Sequence, residues 1–141
     1  MPAGTNDYMK KNESAGRVPA AAKLVFVVDD NAMLVELATA VLEGAGYTVN
    51  HFLDPRAALR SMQDANPMPA VLVTDYQMAG MNGLELILAS QKVHPTLKTL
   101  LLSGTVDGRI SASHPAKVHR FLAKPYDTAQ LLNTVAELIA M

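Results

Sequence analysis

The chain has no cysteine among its 141 residues. Disulfides, thiol catalysis and zinc–thiolate sites are therefore excluded, and the composition fits a reducing, cytoplasmic setting. There is no excess of either charge: 12 basic and 13 acidic residues leave a formal net charge of -1. Without a Lys/Arg cluster to follow a phosphate backbone, direct nucleic-acid binding by this domain is not expected. No apolar run approaches the roughly 20 residues that cross a bilayer, so no membrane role is expected either. Lys10 and Lys11 are followed by no apolar core, so the N-terminus is not read as a secretory signal. A phosphate-cradling Gly-rich loop and an adenine site are also missing. His51, His94, His114 and His119 share no metal-ligand spacing on one element.

What is present is half hydrophobic, 50%, in a length that suits one domain. Residues 1–22 have no sustained period and read as a flexible N-terminal tail, with a short partner-docking helix as the rival reading. From residue 23 to 141, strand and helix patterns alternate. Leu24–Val28 is a continuous apolar run, expected as a strand buried on both faces, and it stops at Asp29-Asp30. Asn31 is a plausible N-cap for a helix with Leu34, Leu37, Ala38, Val41 and Leu42 as its apolar stripe, and Gly44 and Gly46 can end that helix. Tyr47–Phe52 is more polar and reads as an edge strand. Asp54-Pro55 starts a second helix, which carries Ala58, Leu59 and Met62 inward and stops before Asn66-Pro67.

The third strand, Val71-Leu72-Val73-Thr74, ends on Asp75, and a Gly-rich turn leads from it to a helix at Asn82-Gly83. That helix has Leu84, Ile87 and Leu88 on one face and ends near His94-Pro95. Thr99–Ser103 and Val118–Leu122 are the fourth and fifth predicted strands. Asp127-Thr128-Ala129-Gln130 resembles a capping box for the last helix, with Leu131, Leu132, Val135, Leu138 and Ile139 inward. Between Ser103 and Val118, glycines, serines and Pro115 oppose a long helix, so a short or irregular one is predicted within 107–112.

Five such alternations predict a doubly wound α/β fold with a parallel sheet and right-handed crossovers. In open parallel sheets, ligands bind beyond the carboxyl ends of the strands. That places Asp29, Asp30, Asp75, Ser103 and Lys124 along one rim. Three crowded carboxylates repel, and a divalent cation offsets the repulsion; Mg2+ prefers oxygen ligands and commonly takes one or two carboxylates with a phosphate oxygen. The residues suit a phosphoryl transfer in which Asp75 is the nucleophile, Lys124 pairs with a phosphate oxygen and Ser103 offers a hydroxyl. Each taken alone has an ordinary reading: Asp29-Asp30 as a strand end with a cap, Asp75 and Ser103 as turn residues, Lys124 as a solvated lysine, Phe121 as the aromatic end of a buried strand. Their joint placement favours the phosphoryl site.

Four motifs in this order resemble the receiver domain of bacterial two-component response regulators, with the chemotaxis-regulator type of fold. They are Val27-Val28-Asp29-Asp30, Thr74-Asp75 through Gly83, Leu102-Ser103-Gly104, and Phe121-Leu122-Ala123-Lys124-Pro125. The resemblance covers residues 23–141. It implies a flavodoxin-like (βα)5 fold with strand order 2-1-3-4-5, and an aspartyl-phosphate switch rather than an enzyme proper. Asp75 would be the phosphoacceptor. Asp29, Asp30, Asp75 and the backbone carbonyl of Gln77 would hold Mg2+. Ser103 and Phe121 would be the switch pair, and Lys124 would bind phosphate, joined to Pro125 by a cis peptide bond. A histidine kinase or phosphotransfer protein would donate the phosphoryl group. The face of the fourth helix, fifth strand and fifth helix is a candidate homodimer surface.

Ala79 departs from the family, which usually has proline there; Gln77 and Thr105 stand where family members tune phosphoryl lifetime. The stretch Val118–Pro125 is also similar to receivers that carry HD-type output domains. The chain is thus expected to be a single-domain regulator or a receiver from a longer protein. Two other functions fit parts of the pattern: a Mg2+-dependent phosphohydrolase with an aspartate nucleophile, and an interaction module of the same fold that is never phosphorylated.

Overall fold

The computed structural model describes residues 23–104 and 114–141. The predicted tail at 1–22, the predicted short helix within 107–112, and Thr105 lie outside the described residues. Among the described residues, nine elements follow one another: β1 (Leu24–Val28), α1 (Ala32–Gly44), β2 (Thr48–Phe52), α2 (Pro55–Asp64), β3 (Val71–Asp75), α3 (Gly83–Val93), β4 (Lys98–Ser103), β5 (Arg120–Ala123) and α4 (Thr128–Ala140). The strands form one parallel sheet in the order β2-β1-β3-β4-β5.

Successive residues of a strand point to opposite faces, so each apolar run serves two cores. Val25, Val27, Val71, Val73, Leu100 and Leu102 face one way and pack with Ala38 and Leu42 of α1 and Leu131, Val135 and Leu138 of α4. Phe26, Val28, Leu72 and Leu101 face the other way and pack with Ala58 and Met62 of α2 and Leu84, Leu86 and Ile87 of α3. This is why the central strands lack polar alternation. The chain leaves β1 toward β2 and leaves β3 toward β4. Between β1 and β3 the winding therefore reverses, and the loops after these two strands diverge to leave a crevice.

Helix starts follow side-chain chemistry. Asn31 accepts from Leu34 N and Asp54 from Arg56 N, which opens α1 and α2. Asn82 with Glu85, and Asp127 with Gln130, form reciprocal capping boxes at α3 and α4. Each such cap is worth about 1 kcal/mol. Gly46, at φ 103°, turns the chain after α1. The Asn66–Pro67 and Lys124–Pro125 peptide bonds are cis.

Two predicted details differ from the structure. The buried stripe of α1 is Val35, Ala38, Thr39 and Leu42, and Leu37 is 58% exposed. This helix is apolar nearly all round, so two stripes of the same period compete in the sequence. The fifth strand begins at Arg120 rather than Val118. Ahead of it, Lys117 is held by side chains instead of a ladder: its N–H donates to Gln91 Oε1 at 3.0 Å, and its carbonyl accepts from Gln91 Nε2 at 2.8 Å and Thr99 Oγ1 at 2.6 Å. No helix among the described residues is long and apolar enough to cross a membrane.

Candidate functional site

The crevice is built from strand ends. β1 delivers Asp29, which is buried, and Asp30, which is exposed. The Asp29 N–H donates to Phe52 O at 3.2 Å, tying the end of β1 to the end of β2. One Asp29 oxygen, Oδ1, accepts from Asn31 N at 3.0 Å, which fixes the carboxylate and leaves Oδ2 for another partner. β3 delivers Asp75, also buried. The Thr74 hydroxyl donates to the Asp75 carbonyl at 3.0 Å, and Tyr76 N donates to Leu102 O at 2.8 Å. The strand end is therefore held on both sides of Asp75.

Lys124 comes from the far edge of the sheet, just past β5. Its backbone N–H donates to Ser103 O at 2.9 Å, which aligns the loop with the end of β4. Its ammonium reaches back across the rim, 3.0 Å from Asp75 Oδ1 and 3.1 Å from Asp29 Oδ2. Oxygens of Asp29, Asp30 and Asp75 lie within 4.8 Å of one another. Asp30 Oδ2 also accepts from Ala79 N, at a long 3.4 Å, and so touches the loop that follows β3.

The electrostatics follow from this crowding. Three carboxylates face one ammonium, so the cluster carries an excess of negative charge. Burial pushes the Asp75 pKa up; the hydrogen bond from Lys124 pulls it down, and the Asp29 charge adds to the rise. Burial pulls Lys124 down, but its bonds to Asp75 and Asp29 outweigh burial and leave its pKa raised. The ammonium is thus kept charged where it can meet an anion. The donor set is all oxygen and partly desolvated, which fits a hard divalent cation such as Mg2+ and not a soft metal.

The other predicted residues sit around this cluster. Ser103 is buried at the end of β4, paired in register with Ala123. Phe121 is half-buried against the core layer of α2 and α3, in register with Leu101. Gln77 is exposed two residues past Asp75, and Pro125 follows Lys124.

Three further residues bear on the site: Gly83, read from the sequence only as a helix start and the end of a motif, and Tyr126 and Arg56, which the motifs do not include. Gly83 opens α3 so close to β3 that an added Cβ would collide with the Asp75 carbonyl oxygen. Tyr126 is half-buried, its hydroxyl pKa raised by burial and influenced by Lys124, Asp29 and Asp75. Arg56, at the start of α2, lays its guanidinium over Gly80. The rule that sites form at the carboxyl ends of strands would have included Arg56, since it stands four residues past β2.

Comparison with known proteins gives a consistent family. The model of the response regulator receiver domain matches residues 25–136. The response regulator receiver protein CpdR of Brucella abortus is 31% identical over 121 residues, which cover 83% of this chain and 96% of CpdR. The sensor kinase CckA of the same organism is 30% identical over 131 residues, which cover 92% of this chain but only 14% of the kinase. Among solved structures, the Vibrio cholerae chemotaxis protein CheY4 superposes with a TM-score of 0.76 at 25% identity, covering 82% of this chain and 98% of CheY4.

Proposed function

The chain belongs to the response regulator receiver domain family, and on that premise we propose that it is a switch phosphorylated on Asp75. The donor is a histidine kinase or phosphotransfer protein. One observation carries this reading: a single ammonium, Lys124 Nζ, joins the buried carboxylates of Asp75 and Asp29 at 3.0 and 3.1 Å inside a three-carboxylate cluster. A structural ion pair needs one acid and one base. Here Asp29 and Asp30 are gathered beside Asp75, so three carboxylates share one ammonium, and a bound cation would offset the remaining repulsion.

In the transfer, an Asp75 carboxylate oxygen attacks the phosphorus. The bond from phosphorus to the donor nitrogen breaks, and the leaving imidazole keeps the electron pair and takes a proton. Lys124 then exchanges part of its contact with Asp75 for a phosphoryl oxygen, a short move for a flexible, compact charge. Asp29, Asp30, Asp75 and the Gln77 carbonyl would hold Mg2+, which supplies neutralisation of charge on the phosphoryl oxygens. Ser103 donates its hydroxyl to another phosphoryl oxygen, and Phe121 changes packing with it. Water attack on the aspartyl phosphate later restores Asp75. The switch works if phosphorylation favours one of two conformations by differential contacts. The proposed route to an output or a second copy is through β5 and α4, together with the predicted fourth helix that lies outside the described residues, and the cytoplasm is the proposed location.

The test is incubation with Mg2+ and a small phosphodonor. A covalent phosphate that is acid-stable, hydroxylamine-labile and missing from Asp75→Asn supports the reading. Sustained hydrolysis of many phosphate esters would instead indicate a phosphohydrolase. A protein that takes no label under any donor would be an interaction module of the same fold.

A further inference from the structure

Arg56 is held at the rim with nothing assigned to it. It follows β2, while Lys124 follows β5, so the two cations stand on opposite sides of Asp75 in the strand order β2-β1-β3-β4-β5. Its guanidinium rests on Gly80, where its Cζ and Nη2 lie 3.1 Å from the place a Cβ would occupy, and Nη1 lies closer. Gly80 has φ +86°, a turn in the loop after β3 that leaves this space open. The neighbouring Ala79 donates its N–H to Asp30 Oδ2. Asp30, the Ala79–Gly80 backbone and Arg56 therefore form one contiguous edge of the crevice.

Among the described residues, no carboxylate lies within 4.0 Å of the guanidinium. Its side chain is exposed. Lys124, by contrast, is already engaged by Asp75 and Asp29. The described loops beyond the strand ends carry no other Lys or Arg. A phosphodonor that approaches this rim brings more negative charge to a cluster that is already negative. The planar fork of arginine, with several donors to spare, is the group at this rim suited to receive it.

We propose that Arg56 is the donor-recognising cation of the site, binding oxygens of the incoming phosphoryl group before transfer to Asp75. The inference rests on Asp75 being the acceptor. Arg56 lowers the donor concentration needed and leaves the bond-making step to Asp75 and Lys124. For phosphoramidate as donor, the transferred phosphorus leaves nitrogen for an Asp75 oxygen, and ammonia departs with the added proton.

The experiment titrates phosphoramidate at saturating Mg2+ and reads the rate of hydroxylamine-labile phosphate on Asp75. In Arg56→Ala the half-saturating donor concentration should rise about 5–10-fold, as for loss of one exposed charge-assisted contact, with the maximal rate within about twofold. Arg56→Lys should fall between the two, Arg56→Glu should be worse than Ala, and added salt should shrink the differences. Equal half-saturation in wild type and Arg56→Ala overturns the proposal. So does a fall in maximal rate alone, or a fall in thermal midpoint with no ordering by charge, because either marks a residue that only props the Gly80 loop. No label on the wild-type protein removes the acceptor reading and this inference with it; label on the wild type with an unmoved Arg56→Ala removes this inference alone.

Discussion

Gly83→Ala tests whether the approach of α3 to β3 is what holds Asp75 in place. A Cβ on Gly83 would stand 2.8 Å from Leu101 Cδ1 and 3.1 Å from the Asp75 carbonyl carbon, and closer still to its oxygen. None of these atoms has room to yield. Leu101 is fully buried. Asp75 is paired in register with Leu102, its carbonyl accepts the Thr74 hydroxyl, and Tyr76 O accepts Gly83 N–H at 2.8 Å. Overpacking of this kind costs about 1–3 kcal/mol. Replacing Gly by Ala at a compatible site returns about 0.4–1 kcal/mol through the unfolded chain. The net expectation is a loss of about 1–2 kcal/mol, or roughly 4–10 °C in midpoint for a domain of this size.

Gly44→Ala is the matched control, since nothing lies within 4 Å of the added Cβ and its φ needs no glycine; it should gain about 0.4–1 kcal/mol. Urea unfolding of both variants measures the difference. The rate of Asp75 labelling under native conditions should fall in Gly83→Ala and hold in Gly44→Ala. A Gly83→Ala protein as stable as wild type and labelled as fast would refute the steric reasoning.

Three other expectations follow from the described contacts. Mg2+ should raise the unfolding midpoint of the wild type by mass action, about 2.7 kcal/mol at a hundredfold excess over Kd. Asp30→Asn should lose most of that gain, and an undiminished shift would show that Asp30 is not a ligand. Ser90 is fully buried, and its hydroxyl finds no hydrogen-bond partner among the described residues. Ser90→Ala should therefore be neutral or stabilising by up to about 1 kcal/mol; a clear loss in urea unfolding would reveal a partner. His119 Nδ1 accepts from Thr99 N at 3.1 Å, and burial together with Lys98, Lys117 and Arg120 holds its pKa below 6.5. The unfolded chain then binds the proton more readily. The contribution of His119 to stability is complete above its unfolded pKa and is lost as pH falls through the lower folded value. Denaturant midpoints measured from about pH 7 down to about pH 5 should drop less steeply in His119→Gln than in wild type; parallel curves would count against this assignment.

Much of the fold was legible because its signals are local. The apolar run Leu24–Val28 stops at Asp29-Asp30, and Val71–Thr74 stops at Asp75, so strand and functional residue are read together. Caps at Asn31, Asp54 and Asp127 work within three residues of chain, and the structure has each where its helix begins. The same locality explains the misreadings. In α1 the predicted stripe includes the buried Ala38 and Leu42 but has Leu37 in place of Val35, and only the layer that covers the sheet chooses between such neighbouring positions. Ahead of β5, extended apolar residues resemble strand, but Gln91 and Thr99 take the hydrogen bonds of Lys117 that a ladder would use.

By itself the sequence determined which residues end each strand, where helices start, and that three aspartates and a lysine fall on one rim of a parallel sheet. Only the tertiary structure decided that Lys124 bridges Asp75 and Asp29, that Gly83 must lack a side chain, and that Arg56 lies over Gly80. Period and capping act between residues a few positions apart. Lys124 and Asp29 are 95 positions apart, and their 3.1 Å contact exists because strand order sets β5 and β1 on opposite sides of β3 and β4 while the parallel direction of all the strands puts their carboxyl ends on one rim.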